Sequence, residues 1–279
     1  MSNMTNLKSG LSGCKIDLLN DNTLRKYSSS EEYNKRLLSQ IKKQSLFSHF
    51  VLPNIDSPRV YDVQYDVIHS FDMEYVSGFS FDEYFLNVGV KEVECIVNSL
   101  YGYFDFLIDN SRIYHSDVAK KIFDNKLDSM KDSEFMTYIK TQTGDLKVPH
   151  SFCHGDLTFA NIIFHPKRLY FIDFLDSFVD SYLVDLAKLK QDLFYCWNLK
   201  IQRINNLRIQ QIFFHVWQKI EEKYKDHLNT KAFKIIDALT LLRIEPYLTD
   251  SRHSSILKTL VTKTDLYEDF NSSYGGKVV

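Results

Sequence analysis

Hydrophobic and polar positions change rhythm once along the chain, from short strand-like runs to helical stripes. Cys14–Leu19 and Thr23–Tyr27 flank the turn Asn20-Asp21-Asn22 and predict two strands. Ser28-Ser29-Ser30 ahead of Glu31-Glu32 supplies a helix N-cap and an acidic first turn, and Leu37, Leu38 and Ile41 follow at helical spacing. Arg59–Val67 alternates at Val60, Val63, Tyr65 and Val67, and Ile68–Val76 reads as the next strand, closed by Ser77-Gly78. Beyond that glycine the period becomes helical. Phe81–Leu86 predicts a short helix, and Glu92–Ile108 lines up Val93, Ile96, Val97, Leu100, Phe104 and Leu107 on one buried face. Polar Ser116–Asp132 predicts a loop or insertion, followed by a helix to Thr143 that Gly144-Asp145 ends.

The most informative stretch is SFCHGDLTFANIIFHPKRLYFIDFLDS, Ser151–Ser177. Two apolar runs, Ile162–Phe164 and Leu169–Phe174, are split by His165-Pro166-Lys167-Arg168 and predict a small hairpin. Its entrance holds Asn161 and its exit Asp173, so the fold would bring an amide oxygen and a carboxylate together. Such hard oxygens suit magnesium bound to substrate phosphates. Asp156, in the loop before them, is then placed to take a proton from a hydroxyl attacking the terminal phosphate. This arrangement is the core of a kinase catalytic loop and its metal-binding partner. Downstream, Asp185 stands near the start of an apolar helix (Leu186, Leu189, Leu193, Tyr195, Cys196). The last eighty residues predict three amphipathic helices, with Arg243, Glu245 and Tyr247 at a helix end, facing either an acceptor pocket or the surface, and a disordered tail, NSSYGGKVV.

Composition narrows the class without adding chemistry. A chain of 279 residues, 44% hydrophobic and 25% charged, buries a substantial core as a soluble globule of one large domain or two lobes. The formal charge of −2 gives no electrostatic case for nucleic acid or an anionic membrane. Cys14, Cys95, Cys153 and Cys196 are scattered without metal spacing, which suits free buried thiols in a reducing cytosol. The polar start MSNMTNLKSG lacks a secretory core, and no apolar run is long enough to insert in a membrane, so a cytoplasmic location is expected.

HGDLTFANIIF followed by FIDFLDS resembles the aminoglycoside phosphotransferase and choline kinase family of small-molecule kinases. The motif covers about a tenth of the chain, and weaker matches extend the resemblance over most of the first two hundred residues. It implies an α+β, two-lobed protein-kinase-like fold, with a small antiparallel-sheet nucleotide-binding lobe over residues 1–76. A mainly helical catalytic and substrate-binding lobe would follow over 77–279. It implies Asp156 as catalytic base, Asn161 and Asp173 as Mg2+ ligands, Lys26 on the nucleotide phosphates, and Asp185 as a brace beneath the catalytic loop. The small residues of Ser9–Gly13, with Ser12 and Gly13 nearest the strand, would let backbone amides approach phosphate. Strand alternation sends Arg25 and Lys26 to opposite faces. An ion-pairing glutamate for Lys26 is expected early in the following helix; Glu31 and Glu32 are both candidates, and Glu32 is selected. DMEYVSG matches the hinge, where main-chain groups of Glu74, Tyr75 and Val76 would meet the adenine edge. Asp176 is either a metal or substrate contact or a turn residue.

Only eleven residues separate Asp173 from Asp185, Leu175 stands where a protein kinase has glycine, and no Ala-Pro-Glu is present. A protein substrate is therefore disfavoured. The expected reaction transfers the terminal phosphate of ATP, or GTP, to a hydroxyl of a small acceptor such as an amino alcohol, sugar or aminoglycoside. The rivals are a catalytically silent nucleotide-binding pseudokinase module and a scaffolding protein.

Overall fold

A computed structural model describes residues 14–248 and 250–274. The expected phosphate loop, with Ser12 and Gly13, lies outside the described residues. The chain forms two compact units: the residues up to Tyr84 together with Asn161–Asp176, and Phe85–Ala160 together with Ser177 onward.

In the first unit four antiparallel strands pair in the order Lys15–Asn20, Thr23–Tyr27, Ser70–Glu74, Val60–Gln64. The helix Glu31–Phe47, capped by Ser30 accepting the Tyr33 N–H, covers the sheet. Leu37 and Ile41 pack there with Phe71 and Met73, so one helical stripe and one sheet face make a common core. Gln40 and Gln44 share that buried stripe, and Gln44 donates to the Pro58 carbonyl at 2.7 Å. The predicted hairpin is present, Ile162–His165 against Arg168–Phe171. Its second strand also pairs in parallel with Ile55–Asp56, a contact the sequence did not announce because two residues carry no period. Phe79 bridges to Phe164, and a β-carbon on Gly78 would lie 2.4 Å from Ile163 Cγ2 and 2.9 Å from the Phe164 carbonyl oxygen. This close approach is what requires glycine after the strand Ser70–Glu74.

The second unit is mainly helical. Val90–Asp109 buries Val93, Ile96, Val97, Leu100, Phe104 and Leu107 as predicted. The polar stretch expected to be a loop is the helix Ser116–Asp128 instead, because Ala119, Phe123 and Leu127, four residues apart, supply a narrow buried stripe. Tyr182–Leu193 runs through the core with every residue buried, and Leu207–Lys223, Lys231–Leu242 and Ser251–Val261 follow. A further helix, Asp265–Tyr274, overturns the expectation of disorder for Asn271–Tyr274: Leu266 is buried, and Tyr267 packs edge-on and Phe270 tilted against Phe135. The four cysteines are free; Cys14 and Cys153 are buried as expected, whereas Cys95 is exposed. Among the described residues no helix is long and apolar enough to cross a membrane.

Candidate active site

The first unit carries one half of the predicted chemistry. Ile162 pairs with Phe171, and the Asn161 carbonyl accepts the Ile172 N–H at 3.0 Å, so the hairpin sets Asn161 and Asp173 at the same end. Asp173 takes a left-handed backbone, φ 60°, which turns its carboxylate out of the strand line. Lys26, 3% exposed, donates from Nζ to Asp173 Oδ1 at 2.6 Å. Its neighbour Arg25 points to the other face and binds Asp72 through Nε at 2.5 Å and Nη2 at 2.8 Å. Alternation thus separated the two cations as expected.

Glu32 does not hold Lys26. It is exposed in the first turn of its helix, and among the described residues no ion pair joins it to Lys26. Asp173 pairs with Lys26 instead, and Gln40, eight residues or about 12 Å of helical rise beyond Glu32, donates to the same Asp173 Oδ1 at 3.2 Å. Lys43 donates to the Leu175 carbonyl at 2.9 Å, and Phe47 packs on Phe171 and Phe174. Gln40, Lys43 and Phe47 form one helical face that clasps the turn around Asp173. A polar residue inside an apolar stripe was the available signal for Gln40.

In the stretch expected to be the hinge, the Glu74 amide donates to the Arg59 carbonyl and the Tyr75 amide to the Asn22 carbonyl, both at 2.9 Å. Among the described residues neither main-chain group of Val76 has a backbone partner. Asp176 is exposed.

The second unit holds Asp156, the expected catalytic base. Gly155 adopts φ 85°, a conformation open to glycine and costly for side chains, which accounts for glycine before Asp156. Asp185, fully buried, organises the loop from its helix: Oδ2 accepts the His154 N–H at 2.7 Å and Oδ1 the Gly155 N–H at 2.9 Å. The Tyr103 hydroxyl adds a third hydrogen bond to Oδ2 at 2.6 Å. Burial and the neighbouring Asp185 push the Tyr103 hydroxyl well above its ordinary range, so it stays a donor. Asp185 braces the loop as expected; Tyr103, hidden among the core aromatics of its helix, was not foreseen.

Asp156 is flanked by two cations that sequence distance conceals. Lys188 Nζ lies 2.9 Å and Arg243 Nη2 3.8 Å from Asp156 Oδ1. Burial pushes the Asp156 carboxyl up, but Lys188 and then Arg243 more than reverse this and lower it to about 2. Burial and the Arg243 charge lower Lys188 to about 8, against the opposing pull of Asp156. Both groups are therefore mainly charged near neutrality. Asp192, also buried, accepts the Phe159 N–H at 2.7 Å and is raised by burial to about 6. Glu245 and Tyr247 are exposed, leaving Arg243 as the member of that trio that reaches the loop.

The donor chemistry fits magnesium in the first unit. Asp173 and Asn161 offer a carboxylate and an amide oxygen on adjacent backbone, with the Lys26 ammonium beside them. Among the described residues no three His, Cys, Asp or Glu side chains gather into a metal cage. A cation at this pair would complete its shell with phosphate oxygens and water, the usual habit of magnesium.

Residues 115–214 match the model of the Phosphotransferase enzyme family, a span that includes Asp156, Asn161, Asp173, Asp185 and Lys188. None of the curated proteins matches the sequence. Solved structures resemble the chain at the level of fold. A thermostable mutant of an aminoglycoside phosphotransferase, in ternary complex with ADP and hygromycin B, is 12% identical with a TM-score of 0.59, over 90% of this chain and 92% of its own. The GDP complex of an aminoglycoside 2'-phosphotransferase gives 12% identity and 0.57, over 96% and 92%. A glucosamine kinase gives 10% and 0.51, over 86% and 73%. The chain therefore has the kinase-like α+β fold of these neighbours and, over residues 115–214, the sequence pattern of the phosphotransferase enzyme family.

Proposed function

We propose that this protein is a small-molecule kinase that moves the terminal phosphate of a nucleoside triphosphate to an alcohol. The observation that carries this reading is the Asp156 loop: glycine-turned, pinned by Asp185, with its carboxylate held ionised by Lys188. In the reaction the acceptor oxygen forms a bond to the γ-phosphorus while the bond to the β,γ-bridging oxygen breaks. The electron pair leaves with the nucleoside diphosphate, and the hydroxyl proton passes to Asp156. A carboxylate lowered to about 2 is a weak base. Its service is to align the hydroxyl and take the proton late, which suits a loose phosphoryl-transfer transition state.

Lys26 would bind donor phosphates, with Asp173 and Gln40 fixing its position. Asn161 and Asp173 would hold Mg2+, which when bound neutralises charge on the donor phosphates. The main chain of Val76 is the favoured partner for the base edge, since the Glu74 and Tyr75 amides are engaged within the sheet. Backbone recognition leaves ATP and GTP both open as donors, and the neighbours bound to ADP and to GDP agree with either. The acceptor is a small alcohol, and the family resemblance by itself offers amino alcohols, sugars and aminoglycosides without choosing among them.

The test is Asp156→Asn in a phosphate-transfer assay, paired with calorimetry of nucleotide binding. Turnover should fall by about 10²–10⁴-fold while nucleotide affinity stays near wild type. Full turnover in this variant would remove Asp156 from the reaction.

A further inference from the structure

Two cations, Lys188 and Arg243, lie within ion-pair reach of Asp156, and one of them has hydrogen-bonding capacity to spare. Lys188 is 5% exposed and donates to Gln191 at 3.0 Å as well as pairing with Asp156. It is built into the site and already offsets the Asp156 charge. Arg243 differs. It caps the helix Lys231–Leu242, its side chain is 20% exposed, and its ion-pair partner, Asp156 Oδ1, lies at 3.8 Å, too far for a hydrogen bond. Among the described residues its guanidinium makes no hydrogen bond to the protein, although it carries five donors in a planar fork.

The Lys126 ammonium is lowered by its own burial and by the charge of Arg243. Of the other acidic groups, Asp192 is fully buried, accepts the Phe159 amide and acts on Lys188, not on Arg243, and Glu245 is exposed without an ion pair to Arg243 among the described residues. A polycationic acceptor arriving at Asp156 would face like charge with its natural counter-charge already spent. A carboxylate or phosphate would meet an unfilled guanidinium fork, the geometry that binds such groups in pairs of hydrogen bonds.

Resting on the kinase reading above, we infer that the acceptor alcohol carries an anionic group and that Arg243 binds this group while Asp156 receives the hydroxyl. Arg243 is thus a specificity-determining residue, and the acceptor class is hydroxy acids or phosphorylated alcohols.

The experiment compares matched acceptors with Mg-ATP or Mg-GTP as donor. One set is glucuronate, glucose and glucosamine; the other is glycerate, glycerol 3-phosphate, glycerol and serinol. Each set varies the charge on a shared skeleton, and the second separates a carboxylate from a phosphate. The anionic members should give the highest kcat/KM, and Arg243→Gln should reduce the anionic-to-neutral ratio of kcat/KM by about tenfold or more, the loss expected for a charged hydrogen bond. Preference for the ammonium members, or a ratio unmoved in Arg243→Gln, overturns the assignment and leaves the kinase reading intact. Silence across both sets while Mg-nucleotide still raises Tm has the same meaning. Silence together with no response to Mg-nucleotide overturns both.

Discussion

Removing the Asp185 carboxylate tests how the loop carrying Asp156 is held. Three donors converge on it within 2.6–2.9 Å, all inside the protein: two backbone amides and the Tyr103 hydroxyl. In Asp185→Ala each is left without its acceptor, and an unsatisfied buried donor costs about 1–3 kcal/mol. Water entering the new cavity recovers part of that, so a net loss of about 4 kcal/mol is expected. This is a large share of the roughly 5–15 kcal/mol that holds a domain folded. Tyr103→Phe removes only one donor and should cost about 1.5 kcal/mol. In the double variant the two losses should overlap by about that amount, because the tyrosine hydrogen bond is counted in both single changes. Urea unfolding followed by tryptophan fluorescence reads the right unit, since Trp197 and Trp217 both belong to the second. An Asp185→Ala loss below about 1 kcal/mol, or strict additivity with Tyr103→Phe, would refute the account of Asp185 as the shared acceptor.

Lys188→Met should shift the pH dependence of kcat/KM. Losing a cation raises the Asp156 pKa from its lowered value, so the ionised form is lost at higher pH and the acid limb moves up by about 1–2 pH units; an unmoved limb contradicts the pairing. Asp173→Ala should abolish the magnesium dependence of nucleotide binding, measured by calorimetry with and without the metal, and a retained dependence would place the ion elsewhere. Gly78→Ala forces a methyl against Ile163 and the Phe164 carbonyl and should cost about 1–3 kcal/mol. Faster amide exchange across Ile162–His165 is the readout, and unchanged exchange would show that the strand yields freely.

Local signals along the chain determined a good deal. The spacing of Asp156, Asn161 and Asp173 pointed to phosphoryl-transfer chemistry, the Pro-containing break identified the hairpin, and alternation separated Lys26 from Arg25. Each is decided by neighbours within a few residues, through backbone geometry that residue type constrains directly. Glu32 failed because a first-turn acid is as well explained by the helix dipole, and only packing shows which turn of the helix meets Asp173. The helix Ser116–Asp128 was missed because three apolar residues among polar ones satisfy a helix only when a core waits for them. Tertiary structure alone paired Lys26 with Asp173 across almost 150 residues, aimed Tyr103 at Asp185, and set Lys188 and Arg243 beside Asp156. Charge interactions of that kind depend on distance in space, and the position of a residue in the chain carries no measure of it until the backbone has folded.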